Sequence, residues 1–373
     1  MKKILYVIMV LFTLLSCNKA NLNNGNKIDL EINNNFSIYD LFSEIEITPL
    51  ENNDSVIVDY LITKTLFYKD YIYILNPRIN TIFIFDTDGR FINKLENGDG
   101  PDKFTTVLDY NINRYTGNLE VLAPFQILIY DSNGNNYLGR IRLKMNHMPD
   151  CFINVDSSRD ALFCQYTDKK ILFYDRNENT IVDSLYEMPQ YIYDGLLGYN
   201  ATPFLERNDS IFFLQGYNGD LFTITYNKGK GRMNLYSRWN FGKESFSYKK
   251  LKPNQNLTKS INDCKMFSKE QPLGFFSFFE NSKYQFISFW YDSEPTNLIF
   301  NKLNKQSTII RNFKENLRFG KTHIDENSCY LVVPANKLHL VVDKNILTST
   351  SINKLRLLNE DSNPVIVKYK FKK

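Results

Sequence analysis

From about residue 28 onward the chain is a succession of short apolar or alternating runs, roughly five to seven residues each, separated by clusters of Asn, Asp and Gly. Little of it repeats every 3.6 residues, so the pattern predicts strands and hairpins rather than helices. The clearest unit runs YIYIL (71–75), TIFIF (81–85), the turn DTDG (86–89) and FINKL (91–95). It recurs as 119–122, 127–130, the turn DSNG (131–134) and 137–143, and again as 161–165, 171–174, the turn DRNE (175–178) and 180–185. The turn aspartates Asp86, Asp131 and Asp175 fall about 45 residues apart, the length of a four-stranded propeller blade. A fourth unit (210–214, 221–226) is displaced, and a fifth (284–291, 297–303) follows a long interruption. The sixth (329–333, 339–343) ends in a candidate strand at 364–371. With 45–50 as an early strand, the expected fold is all-β: a six-bladed β-propeller closed by strands from the two termini, which removes a free sheet edge. A β-sandwich would not explain the repeat.

Composition sharpens this picture without changing it. Of 373 residues 43% are hydrophobic and 23% charged, enough apolar content for a folded core and too much for disorder. The 29 Phe and 24 Tyr, against 2 Trp, favour strands. A net charge of +4 from 45 basic and 41 acidic residues gives no reason to expect nucleic acid as a partner. Only 3 His and 5 Cys limit metal and thiol chemistry.

The first residues read as an address. Lys2 and Lys3 precede an apolar run (4–15) too short for a permanent membrane span, and LLSC (14–17) resembles a bacterial lipobox. The expected organisation is a lipoprotein signal peptide (1–16), a lipidated Cys17 with a polar, Asn-rich tether (17–27), and one propeller (28–373). No Asp follows Cys17 directly, which by resemblance to Gram-negative lipoprotein sorting favours the outer membrane; the periplasmic or surface-facing side stays open.

The segment NTIFIFDTDGRFINKL (80–95) followed by GDGPDKF (98–104) resembles the NHL-type repeat, in which a strand, an Asp-x-x-Gly turn and a further strand lead into a Gly-Pro link. The whole chain resembles the six-bladed β-propeller lipoproteins of Gram-negative gut anaerobes, through its lipobox, the early strand IEITPLE (45–51), the Gly-Pro link and the terminal NPV (363–365). That resemblance implies fold and location and little chemistry. Gly98, Gly100 and Pro101 read as backbone devices, and Asp86, Asp88 and Gly89 as turn formers.

Catalytic signatures are missing from the sequence: it has no phosphate loop, dinucleotide fingerprint, Gly-x-Ser-x-Gly elbow or His-Glu-x-x-His pair. His147, His323 and His339 are far apart, and no cofactor is assigned; calcium, held by Asp, Asn or Glu around an axial channel, is conceivable from the fold but has no assignable ligands. Cys151 and Cys164 flank the turn DSSR (156–159), and a four-residue loop would set them opposite one another, which allows a cross-strand disulfide or else two buried free thiols; Cys264 and Cys329 complete the set. The interruption 242–276 gathers lysines and aromatics, among them Lys243, Phe246, Tyr248, Lys249, Lys250 and Lys252, and is the expected ligand-face loop for an anionic ligand or partner, or else a solvated rim loop. Phe289, Trp290 and Tyr291 suit either sugar stacking or core packing. The function expected is a membrane-anchored binding or scaffold protein acting through its loop face on a protein, peptide or glycan. A propeller enzyme with an axial site, as a metal-assisted hydrolase or lyase, and a structural subunit of an outer-membrane assembly are the alternatives.

Overall fold

The computed structural model describes residues 27–53, 56–58, 64–187, 203–207, 209–247 and 268–373. These form six four-stranded antiparallel sheets. β1 (Phe42–Pro49) is the outer strand of the last blade. Blade one is β2 (Lys64–Tyr68), β3 (Tyr71–Asn76), β4 (Thr81–Asp86) and β5 (Phe91–Leu95); blade two is β6 (Asp109–Ile112), β7 (Leu119–Ala123), β8 (Gln126–Tyr130) and β9 (Tyr137–Arg142). Blade three is β10 (Cys151–Asn154), β11 (Arg159–Phe163), β12 (Lys169–Asp175) and β13 (Thr180–Glu187); blade four is β14 (Phe204–Arg207), β15 (Ser210–Leu214), β16 (Leu221–Asn227) and β17 (Lys230–Ser237). Blade five is β18 (Leu273–Glu280), β19 (Tyr284–Tyr291), β20 (Glu294–Asn301) and β21 (Gln306–Ile310), and blade six is β22 (His323–Ile324), β23 (Ser328–Val333), β24 (Val365–Phe371) and β1. The chain is a six-bladed β-propeller whose last blade joins a strand from each end, with Ile45 opposite Tyr369 and Ile47 opposite Val367.

Burial explains why alternation was patchy in the sequence. Middle strands pack on neighbouring blades through both faces, so β4 and β7 are buried almost throughout, whereas the outer strand β9 alternates half-buried and exposed positions. The three turn aspartates act as turn formers: Asp86 Oδ1 accepts from the amides of Asp88 (2.9 Å) and Arg90 (2.8 Å), and Asp175 Oδ1 from those of Asn177 (2.9 Å) and Glu178 (3.1 Å). At the second turn Gly134 N–H donates to the Asp131 carbonyl at 3.0 Å. Gly89 has φ +84°, and a Cβ there would lie 2.3 Å from the Pro49 carbonyl oxygen, because the closing strand runs against this hairpin.

Two expectations about blades five and six are corrected. The strand expected at 339–343 does not form: Ala335–Leu340 is a 3-10 helix, and the apolar run exists because Leu338, Val341 and Val342 pack into the core of blade six. Helix α2 (Ser349–Leu357; α1 is the short Ile38–Leu41) then lies on the free edge of β1, with the Ile47 amide donating to Ser351 Oγ (2.9 Å) and the Thr348 amide to the Ile45 carbonyl (3.0 Å). The inner strand of blade five starts at Leu273, so the interruption ends earlier than the hydrophobic pattern suggests. It is hidden by a bulge: Leu273 pairs Trp290 and Ser277 pairs Ser288, leaving two more residues on β18 than on β19 between those pairs, with Gly274 at φ +61°. No helix among the described residues is long and apolar enough to cross a membrane.

Candidate functional site

The first strands of the six blades, β2, β6, β10, β14, β18 and β22, line an axial cavity of about 970 Å³. Its wall mixes aromatic rings, among them Phe67, Phe204, Phe278 and Phe319, with paired charges. Lys64 is held on blade one by Asp109 of blade two at 2.7 Å, and Asp109 also accepts from the Phe152 amide of blade three at 3.1 Å. This pair is nearly buried and has every partner it needs, so it fastens three blades together. Two further ion pairs link blades that are not neighbours: Arg114, just after β6, meets Glu206 of β14 at 3.1 Å, and Arg207 meets Glu326, just after β22, at 3.5 Å. Each must cross the channel, and both do so where the inner strands end. Burial raises the Glu206 carboxyl, with Arg114 opposing the shift. The far end of the channel is therefore braced by ion pairs. The near end, where the inner strands begin, carries the links between blades.

On the near end, between blades five and six, the cavity extends sideways past its inner strands to Ser288 of β19, Pro295 and Asn297 of β20, and Leu331 of β23. The bulge in β18 uncovers these positions. Lys321, in the link leading to β22, reaches across and donates to Ser288 Oγ (2.7 Å) and Asn297 Oδ1 (3.1 Å), while Ser288 also donates to Asn297 Oδ1 (2.7 Å). Its ammonium has no carboxylate partner among the described residues, and burial lowers it to about 8. Ser288 and Trp290 are two residues apart on one strand, so they share a face about 7 Å apart, with Asn297 and Pro295 opposite them. Trp290 is 43% exposed and its ring lies 6.4 Å from that of Phe276, itself a cavity-lining residue 39% exposed. Next along the two strands, Phe286 and Ile299 pair and are buried in the core.

The sequence-predicted residues fall elsewhere. Lys243 is exposed in the 3-10 turn Gly242–Glu244, and Phe246 is half-buried beside a smaller cavity of about 310 Å³ with Trp239, Phe241 and Phe275. Tyr248, Lys249, Lys250 and Lys252 lie outside the described residues, as do Cys17 and Cys264. The Cys151–Cys164 disulfide that the spacing allowed is corrected: both are free, buried thiols. Cys151 pairs with Phe163, and Cys164 is the next residue along, so the two side chains point to opposite faces and enter different cores. The Val155 amide donates to the Arg159 carbonyl, and Asn154 pairs with Asp160, so the register is shifted by one residue from the one that would set Cys151 opposite Cys164.

Of the aromatic trio, Phe289 is core, Tyr291 is partly buried, and Trp290 is the exposed member. His323 lines the cavity wedged between Phe67 (5.1 Å) and Tyr330 (5.6 Å), and burial lowers it; His147 and His339 are exposed. Among the described residues no group of three or more His, Cys, Asp or Glu side chains is placed to hold a metal ion. Lys321, Ser288 and Asn297 escaped the sequence reading. Their signal is faint: a Ser and an Asn inside apolar strand runs.

Two solved structures with this architecture come from Bacteroides species. A protein from Bacteroides fragilis NCTC 9343, named provisionally as exported, matches with a TM-score of 0.71 at 12% identity over 92% of this chain and 98% of its own. A member of the DUF4221 family from Bacteroides vulgatus matches with a TM-score of 0.50 at 13% identity over 89% of this chain and 97% of its own. At such identities they share the fold alone. No curated protein matches the chain in sequence. The profile for the Domain of unknown function DUF4934 matches residues 25–370, nearly the whole propeller, and the chain belongs to that family.

Proposed function

We propose that this protein is a binding propeller of the cell envelope, lipid-anchored through Cys17, whose ligand enters the axial cavity from the end where the inner strands begin. The observation that carries the reading is the cavity itself. About 970 Å³ lined by six inner strands is ample for a small molecule or the end of a chain, and its wall of aromatic rings interspersed with charged and polar groups suits a binding site. The channel-crossing pairs Arg114–Glu206 and Arg207–Glu326 support entry from the opposite end. The provisional naming of the Bacteroides fragilis relative as exported supports an envelope location, and the lipobox-like residues 14–17 support the anchor and an outer-membrane destination.

The ligand class is a peptide, a glycan or a segment of a protein, and the test is a screen of such ligands by thermal shift on the full chain in detergent. Hits should lose affinity by about tenfold or more in Asn111→Trp, which places a bulky ring on the cavity wall from β6. Hits unaffected by that substitution would remove the axial reading. Labelled palmitate entering the wild-type chain and not Cys17→Ser would support the anchor, and equal labelling would sink it.

A further inference from the structure

We propose that the lateral pocket between blades five and six is a subsite for an acidic sugar, a pyranose ring carrying a carboxylate, which deepens the reading of the axial cavity as a ligand site and rests on it. Three independent features converge there. Trp290 and Phe276 offer exposed aromatic faces at the rim, and a pyranose presents a face of C–H bonds that packs on such a ring. Lys321 supplies a cation whose partners among the described residues are all neutral: Ser288 Oγ, Asn297 Oδ1 and the face of the Phe319 ring, 5.1 Å from its ammonium.

The remaining feature is the bulge in β18, which opens the blade at this point and brings second- and third-strand residues into the cavity wall. Three other cations of low exposure, Arg176, Lys302 and Lys64, each meet at least one carboxylate within 2.8 Å. A buried ammonium without a counter-ion is costly, and an incoming carboxylate would pair it. The lowered proton affinity of Lys321 is consistent with a cation waiting for an anion.

The test compares methyl β-D-glucuronide with methyl β-D-glucoside, which share the ring and differ in the carboxylate, on the full chain in detergent. Trp239 is 3% exposed, so a fluorescence change on binding reports Trp290, and Trp290→Phe should abolish it. The glucuronide should bind saturably, and more tightly than the glucoside by about tenfold or more, the worth of one charge-assisted hydrogen bond. Lys321→Met should reduce the glucuronide to the affinity of the glucoside, with Lys321→Arg keeping part of the difference. Trp290→Ala, at an exposed position and titrated by calorimetry because it lacks the reporter, should weaken both sugars without unfolding the chain, which keeps the test decisive if Lys321→Met folds poorly. No saturable response to the glucuronide, an unchanged affinity in Lys321→Met, or acetate binding as tightly as the glucuronide would each overturn the proposal. The two readings fail separately. Screened ligands indifferent to Asn111→Trp while the glucuronide still binds would remove the axial reading alone, and the reverse pattern would remove the sugar subsite.

Discussion

Two interfaces between blades handle buried charge in opposite ways. Between blades two and three, Arg176 makes two hydrogen bonds to Glu120 (2.8 and 2.6 Å) and two to Asp160 (both 2.8 Å), and Asn154 donates to both carboxylates. Asn113 closes the group on Glu120 at 2.9 Å. One guanidinium shared by two carboxylates leaves an excess negative charge, and burial pushes Asp160 up to about 6. Between blades five and six, where the cavity reaches in, Lys321 is bonded to neutral groups. The first interface is closed, with its cation held by two carboxylates. The second is open to the cavity and electrostatically incomplete. A buried charge in this propeller is thus a fastener where its partners are supplied by the adjoining blade, and a candidate binding group where they are not.

The largest expected effect comes from breaking the closed interface. Arg176→Met leaves two carboxylates side by side without their cation, and urea unfolding should show a loss of about 3–5 kcal/mol. A smaller loss under the same assay would mean that the clamp contributes less than its geometry indicates. Lys302→Met tests an intermediate case, because Glu280 keeps hydrogen bonds from Tyr236 and Gln285 after losing its 2.8 Å ion pair. The expected loss is about 2 kcal/mol, between the two extremes.

Lys321→Met should have the opposite sign and raise stability by about 1 kcal/mol at pH 7, since it removes a buried cation and leaves Ser288 bonded to Asn297. Destabilisation as large as that of Arg176→Met would erase the distinction drawn here. The pH dependence follows from the direction of the shift. The Lys321 pKa is lower in the folded chain, about 8, than in the unfolded one. Between those values the unfolded state binds more protons, so this group's contribution to stability rises with pH, and the gap between wild type and Lys321→Met should be widest below pH 8 and narrow above it. The smallest effect is expected at the channel brace: Arg114→Ala breaks a partly exposed pair and should cost about 0.5–1 kcal/mol. Mass spectrometry after denaturing, non-reducing alkylation provides a separate check on register. Both Cys151 and Cys164 should be modified, because each is a free thiol in its own core.

Much of the fold was legible because its signals are local. The Asp86, Asp131 and Asp175 turns each depend on a few consecutive residues, and three equally spaced turns of that kind announce blades. Closure was legible because the strands at 42–49 and 365–371 each carry their own apolar run. The run at 339–343 misled for the same reason: it is apolar, but it packs as a 3-10 turn after Pro334 instead of pairing as a strand. The thiols misled because a one-residue shift of register reverses which face a strand residue occupies, and sequence spacing does not reveal that shift.

Little of the candidate site was legible. Lys321 resembles any lysine in a loop, and the charge-rich interruption 242–276 drew the reading toward a different part of the chain. What makes Lys321 distinctive is the company it keeps, from β19, β20 and a bulge in β18, and those contacts join segments more than twenty residues apart in sequence. The sequence alone determined the repeat, the turn chemistry and the strand content, because each arises from interactions among near neighbours. Tertiary structure decided the parity of the Cys151 hairpin, the helix on the β1 edge and the uncompensated cation, because register, coverage of an edge and the pairing of a charge are settled only when distant strands meet.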